Sequence, residues 1–567
     1  MAHLYSLHIR HYRGIQDLTV TFGNEKFAAI IGRGDSGKTT ILKAIAAVLS
    51  PSWNLSFNDW DFYKCETGEP IVIEAVVKDL PEELITQGKF GLCLGFLKDD
   101  ILTYDIETIP EDQQDQYEKV LTIRLKVTDS LEPKWYVVHG PALDQETEIS
   151  GTDRARLKMY QVSDYVDNHF SYSKGSPLFS LLRQTLDDRK APEKKILEMM
   201  RNAFATIKKD NTFAEFDGVK ADILELAKGV GLTITDLQTL LEFKENAYTE
   251  SNITLHSDGI PYRLHGKGSK RLLSIAIQKG LVEDGGIVLI DELEQGIEPD
   301  RSRNLARLLK QTKKGQVFVT THSRAVLAEV RACNLFLLKK DVGEIRCLSE
   351  EYQDVLRTKP EAFFAKRVVC CEGKTEFGII RAFDDHLQEK RGFCLAVEGI
   401  VYLNCRGGDA FYNDALKLQS IGLDACVFAD DDTSQIEKKK QFAIEKGIAT
   451  VLCEKGKNIE KMLFTYMPWN AVCELIKAAI LFKKGVVLEK LGFNDIETIK
   501  TISDETEQQK IRESCMQLSS EDKWFKDIGA GEAVGSIWFN HVGDLDPTCG
   551  LKKEYDELMK WIGNDID

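Results

Sequence analysis

The sequence predicts an α/β chain made of two successive α/β units. Three observations lead there. Between residues 250 and 350, short apolar runs alternate with segments of helical spacing, as in a parallel sheet with crossover helices. A glycine-rich loop, GRGDSGKTT, directly follows the apolar run KFAAIIG. From residue 364 a second alternation of apolar runs and helical segments begins.

The elements follow in chain order. LYSLHIRHYRGI, DLTVTF and KFAAIIG read as strands. ILKAIAAVLS reads as a helix stopped by Pro51. EPIVIEAVV, VLTIRLKV and KWYVVHG read as further strands. Over 153–245 the character changes, because PEKKILEMMRNAFATIKK and ADILELAKGVGLTITDLQTLLEF carry helical spacing. Strand character returns in NITLHSDGIPYRLHG, with Asp258-Gly259 as a hairpin turn. The first unit then closes with helix RLLSIAIQKGLVE, strand GIVLIDE, helix RSRNLARLLKQ, strand QVFVTTH and helix SRAVLAEVR. In the second unit, strands KRVVCCE, VYLNC and DACVFADDD alternate with helices TEFGIIRAFDDHLQ, AFYNDALKLQSI and QIEKKKQFAIEKG. From residue 460 onward the chain reads mainly helical. The expected boundaries are 1–152 and 246–350 for one split domain, 153–245 for a helical insert, and 364–567 for the second domain.

A chain of 567 residues exceeds one ordinary core. No apolar run is long enough to span a membrane, so no membrane partner is expected. MAHLYSLHIRHYRGIQ alternates and lacks the apolar centre of a signal peptide. The 13 cysteines show no CxxC pair and read as reduced thiols of a cytoplasmic protein. A net charge of −16 argues against non-specific coating of nucleic acid, and leaves room for a local basic groove or bridging metal ions. Lys438–Lys440 and Lys483-Lys484 read as solvated helix faces.

Gly32-Arg33-Gly34-Asp35-Ser36-Gly37-Lys38-Thr39 fits the phosphate-loop pattern G-x-x-x-x-G-K-[ST], with Thr40 next in the helix. Its N–H groups can curl around phosphates, Lys38 can reach the β- and γ-phosphates of ATP, and the Thr39 hydroxyl can bind Mg²⁺. GIVLIDELEQG ends an apolar strand in Asp291, placed to hold Mg²⁺, and Glu292, placed to polarise water. VFVTTHS puts His322 at another strand end, within reach of a γ-phosphate. HGKGSKRLLSIAI presents Ser269 and backbone N–H groups at the start of a helix.

This order of motifs resembles ABC-type ATPases of the SMC/RecF group. LHIRHYRGI resembles that group's opening strand, which places Arg13 beside the nucleotide. In the group, the glycine-rich turn completes a neighbouring subunit's site, which implies ATP-dependent dimerisation. The turn here is GKGSK rather than LSGGQ, ELEQGIEP lacks the usual His, and there is no clear Q-loop glutamine. Asp59 and Asp61 of NDWDFY stand where that lid would be. These departures imply slow turnover, or an ATP that regulates more than it drives.

A second GKT lies in VVCCEGKTEFGII, where Val368 stands at the position a phosphate loop gives to its first glycine. Lys374-Thr375 therefore reads as spacer, and the weight moves to Glu372 and Glu376. ACVFADDD ends another strand in Asp430-Asp431-Asp432, where Asp430 and Asp432 share a face. Two acidic strand ends make an oxygen-lined pocket for Mg²⁺ or Mn²⁺, able to hydrolyse a phosphodiester.

E-G-x-x-E followed by D-x-D resembles the TOPRIM domain of topoisomerases, primases and related nucleases. The resemblance implies Glu372, Asp430 and Asp432 as catalytic metal ligands, Glu460 of GKNIEKML as a further acidic ligand, and Lys526 of WFKDIGAGEA as the basic group near the scissile phosphate. Thr433 stands where a Gly is frequent. NCRGGDAF resembles the glycine-containing strand end between the acidic motifs, with Arg406 and Asp409 in an ordinary turn.

An ABC-type (SMC/RecF-like) ATPase with a helical dimerisation insert, followed by TOPRIM and a helical extension, resembles the OLD (overcoming lysogenisation defect) family. That implies an ATP-regulated, metal-dependent DNA endonuclease of anti-phage defence, similar to the Gabija nuclease subunit and retron-associated effectors. It also implies a homodimer or higher oligomer, with a tetramer in range. A neighbour-encoded partner would be a UvrD-like helicase or a retron reverse transcriptase with its DNA/RNA product. Two other readings stand beside it: a DNA-repair ATPase whose TOPRIM domain binds DNA without cutting, and part of a type II topoisomerase, for which no active-site Tyr is marked.

Overall fold

The computed structural model describes residues 2–105, 107, 109–140, 143–162, 202, 217–243, 251–261, 264–283, 285–339, 344–431, 437–483 and 486–563. The chain divides into two units, residues 1–358 and 359–567.

The first unit contains a six-stranded sheet in the order Met159–Val162, Ile287–Ile290, Gln316–Thr320, Phe27–Ile31, Leu335–Lys339, Glu344–Cys347. The first five strands run parallel and the last antiparallel. FAAII, IVLI and QVFVT are wholly buried, as continuous apolar strands of a covered parallel sheet must be. A second, antiparallel sheet runs Ile15–Thr21, His3–Tyr12, Ile71–Lys78, Glu118–Val127, Pro133–His139 and Gln145–Glu148, with the hairpin Gly95–Lys98/Ile101–Thr103 also on Glu118–Val127. The helix Lys38–Val48 packs against strands of both sheets and shares one core with them through Ile41, Leu42, Ala44, Ile45 and Val48.

Of the helical insert expected over 153–245, residues 163–201, 203–216 and 244–245 lie outside the described residues. Asp217–Gly229 is a helix as read. The following TDLQTLLEF is not: Leu237–Phe243 is a strand, paired antiparallel with Ser251–Ser257 from Leu237↔Ser257 to Phe243↔Ser251. Gly231, at φ 78°, turns the chain out of the helix, and a partner strand beyond the local window then overrides helical spacing. The Asp258-Gly259 hairpin forms as expected, both residues being left-handed.

The second unit is a four-stranded parallel sheet in the order Ile400–Asn404, Arg367–Cys371, Asp424–Ala429, Ala449–Leu452. The last strand, only four residues long, was not apparent in the sequence. Helices Lys374–Arg391, Ala410–Ser420 and Glu437–Glu445 connect the strands, and the rest of the unit is largely helical. One long-range packing matters for the site. Helix Lys374–Arg391 lies against Ile528–Asn540 at backbone contact: a Cβ on Gly378 would fall 2.3 Å from Ile528 O, and one on Gly531 would fall 2.4 Å from Thr375 O. Gly531→Val is therefore expected to destabilise the second unit by about 1–3 kcal/mol or more through overpacking. Denaturant unfolding measures this, and an unchanged midpoint would refute the close helix contact.

Candidate functional site

In the first unit, the loop after Phe27–Ile31 wraps its own cation. Lys38 Nζ donates to Gly32 O at 3.0 Å and Arg33 O at 2.7 Å, and is buried. Burial pushes the Lys38 ammonium below its ordinary range, against the pull of Asp291 and Glu292. Thr39 Oγ1 donates to Asp291 Oδ1 at 3.1 Å, so the loop hydroxyl and the strand-end carboxylate meet as a shared Mg²⁺ site requires. A cavity of about 790 Å³ is lined by Gly34–Thr40 and Gly14–Leu18, with Tyr63, Glu292, Thr320 and His322. Burial, then the charge of Lys38, lowers the His322 imidazole.

Several partners here were missed by sequence reading. Thr320 Oγ1 donates to Asp291 Oδ1 at 2.5 Å and accepts from Glu292 N at 2.7 Å. Glu292 is held left-handed at φ 48°, a backbone state that non-glycine residues keep only where surroundings enforce it. Glu294 accepts from the Thr321 hydroxyl at 2.7 Å and from His322 N at 2.6 Å, tying the acidic loop to the His strand. Arg271, in the helix that the glycine-rich turn opens, donates to Asp291 O and, at 3.1 Å, to Glu292 O. Arg13 forms a two-pronged ion pair with Asp61, with its Nε and Nη2 both 2.8 Å from Oδ1, next to cavity-lining Gly14. Ser269 lies in the first turn of helix Lys267–Glu283 and is not among the described residues lining the cavity.

In the second unit, Arg367–Cys371 and Asp424–Ala429 are parallel neighbours, so Glu372 and Asp430 emerge side by side: Asp430 N donates to Glu372 Oε2 at 3.1 Å. Asp430 Oδ1 accepts from Ile459 N at 2.9 Å and from the Cys453 thiol at 3.6 Å. Glu376 Oε2 accepts from Gly373 N at 2.8 Å in a helix-capping interaction, while its buried Oε1 has no hydrogen-bond partner. Glu460, fully buried, has no hydrogen-bond partner on either oxygen, and Lys526 Nζ lies 3.4 Å from its Oε1 as an ion pair. Asp431 is paired with Lys440 at 2.7 Å. Asp432 lies outside the described residues.

Lys374-Thr375 is not mere spacer. Thr375 Oγ1, buried, donates to Phe525 O at 2.8 Å, which fixes the residue preceding Lys526. Lys374 and Lys526 line, with Glu372, Glu376 and Arg406, a cavity of about 410 Å³.

The electrostatics follow from burial. Burial pushes the Glu376 carboxyl up from 4.5 to about 7, Lys526 opposes this, and Glu372 and Glu460 add to it. Asp430 is raised by burial, then by Glu376 and Glu460. Lys526 loses by desolvation but is raised overall by Glu460, Asp430 and Glu376. Among the described residues no three His, Cys, Asp or Glu side chains converge on a single ion position. The chemistry nonetheless suits a hard divalent cation: the donors are all carboxylate oxygens, and Oε1 of Glu376 and both oxygens of Glu460 are buried without hydrogen-bond partners.

Together these features define a P-loop ATPase joined to an acidic α/β domain, and the comparisons agree. Residues 27–328 match the family described as "AAA domain, putative AbiEii toxin, Type IV TA system", and residues 363–432 match "Overcoming lysogenization defect protein-like, TOPRIM domain". The chain belongs to the OLD family of ATPase–TOPRIM proteins. No curated protein matches it. Similar solved structures include an SMC head bound to the C-winged helix domain of ScpA (14% identity, 62% of this chain and 99% of that one, TM-score 0.34). Others are the SMC head domain from Thermotoga maritima (14%, 61% and 99%, 0.29) and an SMC head with an extended coiled coil, bound to the C-terminal domain of ScpA derived from Pyrococcus furiosus (15%, 63% and 99%, 0.36). Among the described residues no helix is long and apolar enough to cross a membrane.

The raised Glu376 carboxyl sets a pH dependence. Its folded-state pKa, about 7, lies above the unfolded 4.5, so the native protein binds more protons between those values. The Glu376 contribution to the stability of the metal-free protein is therefore expected to fall as pH rises from about 4.5 to about 7 and to level off above. Melting the full chain in EDTA across that range checks it. Glu376→Gln should flatten the slope, and an identical slope in the variant would contradict the assignment.

Proposed function

We propose that this protein is an ATP-regulated, divalent-metal-dependent DNA endonuclease acting in bacterial anti-phage defence. The observation that carries the reading is the cluster of Glu372, Glu376, Asp430 and Glu460 at one end of a parallel sheet, faced by Lys526. Mg²⁺ or Mn²⁺ would take oxygens drawn from Glu372, Glu376, Asp430, Asp432 and Glu460, and would supply an activated water and stabilise the leaving oxygen. Lys526 offers its ammonium to the charge that builds on the phosphate. Thr375 positions that lysine through Phe525.

In the ATPase unit, Lys38 and the loop N–H groups would bind the triphosphate of ATP, Thr39 and Asp291 would hold its Mg²⁺, and Glu292 would orient water. Ser269, in the first turn of helix Lys267–Glu283, would complete the site of a second subunit in a homo-oligomer. Arg13, anchored by Asp61, supports the entrance strand next to the nucleotide.

The direct test is plasmid cutting with Mg²⁺ or Mn²⁺. Glu372→Ala and Asp430→Ala are expected to abolish cleavage while leaving ATP binding intact, and activity equal to wild type in both would sink the metal assignment. Lys38→Ala is expected to weaken ATP binding at least tenfold, about 1.4 kcal/mol or more, because it removes a charge-assisted phosphate contact. Titration with a fluorescent ATP analogue reads this out, and unchanged affinity would remove Lys38 from the role. Cleavage measured against ATP concentration gives the sign of the regulation.

A further inference from the structure

The acidic cavity of the second unit carries a basic rim. It is lined by two carboxylates, Glu372 and Glu376, and three cations, Lys374, Arg406 and Lys526. Lys526 is engaged with Glu460. Lys374 and Arg406 are exposed and have no ion-pair partner among the described residues, in a chain of net charge −16. Glu376, which lines the same cavity, keeps a buried Oε1 without a hydrogen-bond partner, so the carboxylates suit a cation and the exposed cations an anion.

The backbone under Arg406 is unusual. Arg406 is left-handed at φ 63°, followed by Gly407 at 82° and Gly408 at 70°. A glycine would hold that state without strain, yet an arginine occupies it. Asn404 Oδ1 accepts from Arg406 N at 3.0 Å, and Gly407 N donates to Glu372 O at 2.6 Å. The loop is thus hung on the main chain of an acidic site residue, which fixes the backbone of Arg406 relative to Glu372.

On the nuclease reading above, the geometry points to Arg406, seconded by Lys374, as the clamp for a DNA phosphate neighbouring the one that is cut. A guanidinium grips phosphate oxygens in two-pronged fashion and stays charged at any working pH, as a positioning residue needs. The scissile phosphate would face the carboxylates and Lys526, and the adjacent phosphate the rim.

The test uses the full chain and a fluorescein-labelled DNA duplex, with binding measured in EDTA over a salt series and cutting measured with Mn²⁺. Arg406→Ala is expected to reduce the slope of log K against log salt by about 1, the loss of one phosphate contact. It should raise KM several-fold with kcat little changed. Lys374→Ala should shift both in the same direction by less. Arg406→Gly separates this role from a structural one: it relieves the left-handed strain, so its melting temperature should hold or rise while DNA affinity falls. Glu372→Ala should keep DNA binding and lose cutting. A wild type that cuts, with Arg406→Ala and Arg406→Gly matching it in salt slope and KM, overturns the clamp and leaves the nuclease reading standing. A wild type that neither binds nor cuts DNA overturns both.

Discussion

The ammonium of Lys526 among the carboxylates of Glu460, Asp430 and Glu376 is the interaction on which the second unit's site depends. Burying an ion costs several kcal/mol, about what a close counter-charge can return, so a cluster of buried acids persists only with a cation near it or with protons on it. Both occur: Lys526 is drawn in, and Glu376 and Asp430 are pushed toward their protonated forms. The sheet supplies the acids, since adjacent parallel strands deliver Glu372 and Asp430 at the same end. The lysine comes from far along the chain, carried by the helix contact at Gly378 and Gly531 and by the Thr375 to Phe525 hydrogen bond.

The first unit is organised around Asp291 in a comparable way. Its side chain accepts from Thr39 and Thr320, and its carbonyl accepts from Arg271. Three elements, the phosphate-loop helix, the His strand and the helix opened by the glycine-rich turn, thereby converge on one residue. Glu292 follows it in a strained conformation held by Thr320, and Glu294 closes the loop against Thr321 and His322. Asp291 is thus bonded both to Thr39 of the phosphate loop and to Arg271.

What was legible in the sequence is what short-range chemistry dictates. The phosphate loop, the DE strand and the two acidic strand ends are local patterns, and each stands at a strand terminus as its spacing implied. Leu237–Phe243 was misread because its helical spacing is intrinsic while its strand partner, Ser251–Ser257, is not. The strand Ala449–Leu452 is too short to announce itself and exists by pairing with Asp424–Ala429. Thr375, Thr320 and Glu294 were overlooked because their roles are hydrogen bonds across the fold, which no spacing encodes.

The two copies of Gly-Lys-Thr show how neighbours set the chemistry of identical letters. Lys38 is buried against the neutral carbonyls of Gly32 and Arg33, and burial disfavours its charge. Such an ammonium gains most from an arriving anion, which is what a triphosphate brings. At the second copy Lys374 is exposed, and Thr375 turns inward to hold Phe525. The cation that matters there is the distant Lys526, whose charge the surrounding carboxylates favour. On the proposed nuclease reading, a divalent ion held by these carboxylates would share Glu460 with the lysine already paired to it. The first copy thus sets a buried lysine against neutral carbonyls, and the second leaves the site's cation to a lysine held among carboxylates.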